Sequence, residues 1–369
     1  MSAKFKLAVC AAALFTATPL MSAMAGEIKL GIIAPMTGQQ ASEGQDMENA
    51  IKLAVSDLNA KGGVNGNTIT TITADDACDP QQGVTAGSKL VSSGVTAIVG
   101  GYCSGAVLPT LKLYGDAGVP FVMVATNSAK LVTANPGNAV MMNSTADAQV
   151  ATAIGLFSKR GVKSVVLVNE GDAYSADLAK MTAEQFAAAG GTVAANERVT
   201  TGEQDFSALV SNIRSKKPDA VFWTGYHAGA ALLTKQLRQG GYKGMIVLGD
   251  GANSPEYLTI AGSASEGVYI FSPPVLDFLP NAAAFKKAYI STYKRDPGAY
   301  AAMSYDGAML MADAINRAKS TDHKAVVAAL RDSDYSGLAG EIKFTPQNTL
   351  ARSNFAVLVV KDKKWALAE

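Results

Sequence analysis

Two spacings alternate along the chain. Short apolar runs, long enough for a buried parallel strand, stop at small or polar residues, and segments with apolar positions three and four apart follow them. Glu27 to Ile33 reads as the first strand, ending in Ala34-Pro35-Met36-Thr37-Gly38. A helix from about Gln45 to Ala60 follows, with Met47, Ile51, Ala54, Val55 and Leu58 on one stripe and Gly62-Gly63 as its stop. Thr68 to Ala74 reads as a strand, Val84 to Val91 as a helix, and Val95 to Val99 and Val119 to Val124 as two more strands. Alternation of this kind predicts right-handed crossovers and a parallel sheet. The last two strands end in Tyr102-Cys103-Ser104-Gly105 and Ala125-Thr126-Asn127-Ser128, which a parallel sheet sets side by side at its carboxyl edge, where open α/β sheets bind ligands. Ser104 and either Thr126 or Asn127 are expected as helix N-caps, with free backbone N–H groups behind them suited to a carboxylate. The plainer alternative is caps bonded only to their own helices.

The alternation pauses after Lys130, and Met141-Met142-Asn143 reads as an extended crossing segment, with a boundary near residue 145. A second series follows. The helix Ala146 to Ser158 leads to the strand Ser164 to Val168, which ends in Asn169-Glu170-Gly171-Asp172-Ala173-Tyr174. The strand Ala220 to Thr224 ends in Gly225-Tyr226-His227, and the strand Met245 to Leu248 ends in Gly249-Asp250-Gly251. Tyr174, Tyr226 and Asp250 should therefore converge on one edge of a second sheet. Val268 to Pro274 reads as a return crossing. Helices follow at 281–293 and 299–319, the latter with Tyr300 at its start, and late strands at 341–344 and 355–360. The expectation is an α/β protein of two doubly wound parallel-sheet lobes joined by a three-segment hinge. Residues 26–144 with 275–345 make one lobe, and 145–274 with 346–369 the other.

Lys4 and Lys6 precede an apolar segment from Leu7 to Leu20, and Ala23-Met24-Ala25 has the form of a signal-peptidase site, so residues 1–25 read as an export leader and the mature protein as exported. Without them the chain holds 30 basic residues against 31 acidic, and nothing suggests the clustered charge that nucleic-acid binding requires. Cys78 and Cys103 remain, and in an exported protein a pair of thiols is most simply one disulfide. Only His227 and His323 could join them as ligands, so no metal is expected. Nucleophile elbow, phosphate loop, HExxH and GxGxxG motifs are all absent, and neither an enzyme nor a cofactor is expected. His227 is expected on a polar rim, Glu170 and Asp172 as solvated caps of a strand-to-helix loop, and Asp75-Asp76 as caps of a loop held by the disulfide.

The block Asp75-Asp76-Ala77-Cys78-Asp79-Pro80, together with residues 95–130, resembles the periplasmic Leu/Ile/Val-binding proteins of ABC importers. Further matches are Ile32 to Gly38, Leu58 to Asn67, Asp205 to Leu209, Gly225-Tyr226-His227 and Gly249-Asp250-Gly251. The likeness covers essentially the whole mature chain. It implies the type I periplasmic-binding-protein fold, a small amino-acid ligand and delivery to membrane permease subunits by a monomer. Carried over position by position, it implies that Ser104 and Thr126 or Asn127, with the backbone around Ala125, hold an α-carboxylate. Tyr226 and Asp250 would meet the α-ammonium, and Tyr174 would close over the ligand. Cys103 would lie beside the site. Glu43, Tyr102 and Tyr300 stand where family members carry other residues, so a polar or cationic amino acid, an analogue or an amide is the alternative ligand, and a sensor the alternative role.

Overall fold

The computed structural model describes residues 26–368, and the leader and cleavage site expected at 1–25 lie outside them. Strands β1 (Glu27–Ala34), β2 (Thr68–Asp75), β3 (Ala97–Gly100), β4 (Phe121–Met123) and β5 (Ala139–Met141) pair in parallel throughout, in the order β2-β1-β3-β4-β5. β3 and β4 are buried along their whole length because helices cover both faces, which is why they read as unbroken apolar runs. With β1 between β2 and β3, the chain winds in opposite directions from these two neighbours and leaves a crevice at their carboxyl ends.

The second sheet holds β6 (Ser164–Asn169), β7 (Thr192–Arg198), β8 (Ala220–Trp223), β9 (Met245–Leu248) and β10 (Tyr269–Ser272), paired in parallel in the order β10-β9-β8-β6-β7. A separate hairpin, β11 (Asp334–Gly337) and β12 (Gly340–Lys343), precedes β13 (Ala356–Lys361) and β14 (Lys364–Leu367), which complete the second sheet at its β10 edge. Both of these last strands are antiparallel to their neighbours, so this sheet is not wholly parallel as expected. The difference is local: Asp362 and Lys363 adopt left-handed φ values of 52° and 60°, as a tight two-residue hairpin requires. Again the winding direction reverses, between β6 and β8, and a second crevice opens there.

Three segments connect the sheets. The first leaves β5 through Met142–Thr145. A second leaves β10 and leads to the helices Ala283–Tyr293 and Ala301–Ala318, which pack against the helix Ala41–Ala60 of the first sheet through Ala50, Leu53, Phe285, Tyr289 and Ala301. The third runs from β12 to β13. Two of them are tied together, since the Asn354 N–H donates to Ser144 Oγ at 2.7 Å. The helix Ala41–Ala60 starts hard against the end of β1, where a Cβ at Gly44 would lie 1.8 Å from the Pro35 carbonyl oxygen. Only a residue without a side chain fits there.

Candidate functional site

Loops from the carboxyl ends of β3 and β4 in one sheet face loops from β6, β8 and β9 in the other. Between them lies a cavity of about 190 Å³, counting all space outside the atoms. Its centre is Asp250, in the turn after β9 and 1% exposed. Asn143 Nδ2 donates to its carboxylate at 2.8 Å, Asn127 Nδ2 reaches both oxygens at 3.2 Å, and the Tyr174 and Tyr300 hydroxyls each donate at 2.9 Å. Burial pushes the Asp250 carboxyl above its ordinary range, and these four neutral donors pull against that shift. None of the ion pairs among the described residues includes Asp250. The arrangement is a buried carboxylate held in place by neutral groups, and a cation in the cavity would be its natural complement.

The tyrosines around it are held neutral. Burial pushes Tyr102, Tyr174, Tyr226 and Tyr300 well above the usual phenol range, so each is a hydroxyl donor and not an anion at any ordinary pH. Tyr174 is the second residue of the helix Ala173–Ala188, whose start Asp172 caps by accepting from the Tyr174 and Ser175 N–H groups. The Tyr174 hydroxyl in turn accepts from the Gly251 N–H at 3.0 Å, which orients its own proton toward Asp250. Tyr102, from the loop after β3, donates to the Gly251 carbonyl at 3.2 Å and so spans the cleft.

On the opposite wall, Ser104 opens the short helix Ser104–Val107 but does not cap it; Cys103 takes the N-cap position. Ser104 Oγ instead accepts from the Asn127 and Ser128 N–H groups at 3.3 Å each. Nor does either of the expected candidates cap the next helix. Ser128 does, accepting from the Lys130 N–H, because the turn after β4 runs further than the apolar pattern suggests. The Ala125 N–H is spent on the Gly101 carbonyl and the Ala125 carbonyl on Asn143 Nδ2. The Ser104 hydroxyl proton remains to donate into the cavity.

The structure brings Tyr102, Ser104, Ala125, Asn127, Tyr174 and Tyr226 around the cavity, together with Asp250 and Tyr300. It leaves Thr126, Cys103 and Glu43 outside. Thr126 is buried with its hydroxyl unpartnered. Cys103 is bonded to Cys78 with a Cα–Cα separation of 5.3 Å and borders a neighbouring cavity, shared with Gln40 and Asp172. Glu43 turns toward His227, its Oε1 lying 3.6 Å from Nδ1, while His227 Nε2 lies 3.2 Å from Glu256. His227 is therefore no rim residue: it is 1% exposed, sealed between carboxylates from both sides of the cleft. Glu170 is likewise buried and not solvated. It accepts from the Tyr226 N–H at 2.7 Å, fixing that ring's backbone, and burial lifts its carboxyl to about 7. Asp75 and Asp76 do cap their loop, through the Ala77 and Cys78 N–H groups. Sequence reading missed Asn143 and Gly251. A polar residue directly after the apolar run Ala139 to Met142 was the available signal for the first; the second stood in the strand-ending Gly249-Asp250-Gly251 block, but a glycine has no side chain to suggest that its backbone N–H and carbonyl hold two tyrosines.

A family profile described as a periplasmic binding protein matches residues 27–364. The Leu/Ile/Val-binding protein homolog 2 of Brucella abortus is 31% identical over 322 residues, 86% of each chain. The crystal structure of a leucine binding protein, LivK, from Thermotoga maritima superposes with a TM-score of 0.87 at 28% identity, covering 93% of this chain and 98% of that one. LivJ of Streptococcus pneumoniae, a branched-chain amino acid transporter substrate binding protein solved in complex with isoleucine, gives 0.84 at 26% identity, with 93% and 99% covered.

Proposed function

The chain belongs to the periplasmic binding proteins, and on that premise we propose that it binds a small α-amino acid between its two sheets and hands it to the membrane permease of an ABC importer. The observation that carries this reading is Asp250, a buried carboxylate that faces the cavity with only neutral donors around it. An α-ammonium there completes its charge, while the Ser104 hydroxyl and the tyrosine hydroxyls on the other walls suit the α-carboxylate. The three connecting segments act as the hinge on which the lobes open to admit ligand, and the bonds across the cleft from Tyr102 and Asn127 hold the closed form. Lobes of 26–144 with 275–345 and 145–274 with 346–369 move as units. Residues 1–25 serve as the export leader, and the mature protein works in the periplasm as a monomer. The named relatives support the ligand class: leucine for the Thermotoga protein and isoleucine for the pneumococcal one.

A thermal-shift screen of the mature protein against amino acids, aromatic acids, amides and sugars tests the reading. A ligand at 100 times its Kd stabilises the fold by about 2.7 kcal/mol, a readily measured shift. Stabilisation by one or more α-amino acids is expected. Stabilisation by an amide or an aromatic acid alone would refute the reading.

A further inference from the structure

We propose that Tyr102 restricts this site to amino acids with little or no side chain, the class of glycine, alanine and serine, and that its ring excludes ligands of leucine size. The inference rests on the amino-acid reading of the cavity and adds a size limit to it. Only about 10 Å³ of the cavity admits the centre of a water molecule, so this closed form leaves little room beyond its lining atoms. Its lining gives an aliphatic side chain almost nothing to pack on: the one aliphatic side chain is the methyl of Ala125, and the other walls are phenol rings, hydroxyls, an amide and a carboxylate. An isobutyl group placed there would leave hydroxyls facing methyls, whereas a hydrogen, a methyl or a hydroxymethyl group would not.

Tyr102 cannot yield the missing room cheaply. It is 5% exposed, its hydroxyl is bonded to the Gly251 carbonyl at 3.2 Å across the cleft, and its ring meets Tyr300 edge-on at 5.5 Å and Tyr226 at 5.9 Å. Swinging it aside breaks a cross-cleft hydrogen bond and two ring contacts, so a larger ligand would work against closure. The neighbouring cavity offers a different path. It shares Tyr226 with the first, and Gln40 and Asp172 border it with buried oxygens that have no hydrogen-bond partner. A side chain reaching it would be polar or cationic, not branched aliphatic.

Calorimetric titration of the mature, disulfide-bonded protein with glycine, L-alanine, L-serine, L-leucine, L-glutamine and L-arginine decides the matter, repeated on Tyr102→Leu and Tyr102→Phe. The wild-type protein should bind alanine, glycine or serine about 100-fold more tightly than leucine, since single methylenes are worth roughly 10- to 200-fold in tight pockets. Tyr102→Leu should narrow that ratio at least about tenfold, and Tyr102→Phe, which keeps the ring, should preserve it. Leucine binding within about tenfold of alanine in the wild-type protein would overturn the proposal, as would an unchanged ratio in a folded Tyr102→Leu protein. A clear preference for glutamine or arginine would also overturn it, by placing the side chain in the neighbouring cavity. If Tyr102→Leu does not fold, the wild-type ratio decides alone. Binding of no amino acid at all would defeat the amino-acid reading itself, whereas a leucine preference defeats only the size limit.

Discussion

Asp250, Glu43 and Asn143 show how a residue's surroundings, more than its identity, set its role. An aspartate after a strand end can be read from the sequence as a candidate counter-ion. That it collects hydrogen bonds from Asn127, Asn143, Tyr174 and Tyr300 cannot, because those donors come from four distant segments that only the tertiary fold unites. Glu43 sits in the expected loop yet turns to His227, a partner supplied by the opposite side of the cleft. Asp250→Asn removes the anion and leaves a bound ammonium desolvated without its partner, a loss of roughly 2–5 kcal/mol. Ligand affinity should fall by tens to thousands of fold while circular dichroism and melting stay near wild type. Unchanged affinity in the variant would place the ammonium elsewhere.

At the scale of elements, the strands buried on both faces were legible, and so was the edge strand β2, whereas β7, β11 and β14 were not. β7 lies at the sheet's edge with Thr192, Asn196 and Arg198 exposed and none of its residues fully buried, so its apolar pattern is too weak to read. β11 and β14 are four residues each, too short for an alternating pattern to show. The disulfide ties the turn after β2 to the turn after β3 and so bears directly on the placement of Ser104. Ala77 and Cys78 both sit at positive φ, 46° and 56°, a turn that Asp75 and Asp76 hold by accepting from the following N–H groups. Replacing both cysteines with serine should lower unfolding free energy by about 2–4 kcal/mol and weaken ligand binding. Thiol titration of the unfolded, unreduced wild-type protein should find no free thiol. Gly44→Ala, which drives a methyl into the Pro35 carbonyl, should cost at least about 1–3 kcal/mol in denaturant unfolding; wild-type stability would mean that the helix start can shift freely.

For the molecule as a whole, two sheets with opposed crevices and three connections place every site loop at one cleft, which the winding order alone anticipates. The buried carboxylates add a pH dependence. Burial lifts Glu170 to about 7 and Asp76 and Asp306 to about 6 from ordinary values of 4.5 and 3.8. Between those limits the folded chain holds more protons than the unfolded one, so their contribution is greatest in acid and is lost as pH rises through 6 to 7. Asp75 acts in the opposite sense: burial alone would raise it, but the Thr37 hydroxyl and the Ala77, Met36 and Thr37 N–H groups hold it below its ordinary 3.8. Its contribution disappears only in stronger acid. The ligand-free protein should therefore melt at a higher temperature near about pH 5 than near about pH 8, and Glu170→Gln should flatten the slope between them. A melting temperature that climbs steadily across that range would contradict this assignment of the buried groups.

The central claim is that the cleft recognises both charges of an α-amino acid. Its most direct test is a calorimetric comparison of the tightest-binding amino acid with two derivatives, the acid lacking its amino group and the amide replacing its carboxylate. Recognition by Asp250 on one side and Ser104 on the other predicts one site per chain and a loss of at least about 100-fold for each derivative, the equivalent of 2.8 kcal/mol. A derivative without the amino group that binds as tightly as the parent would show that Asp250 does not face an ammonium, and would contradict the account.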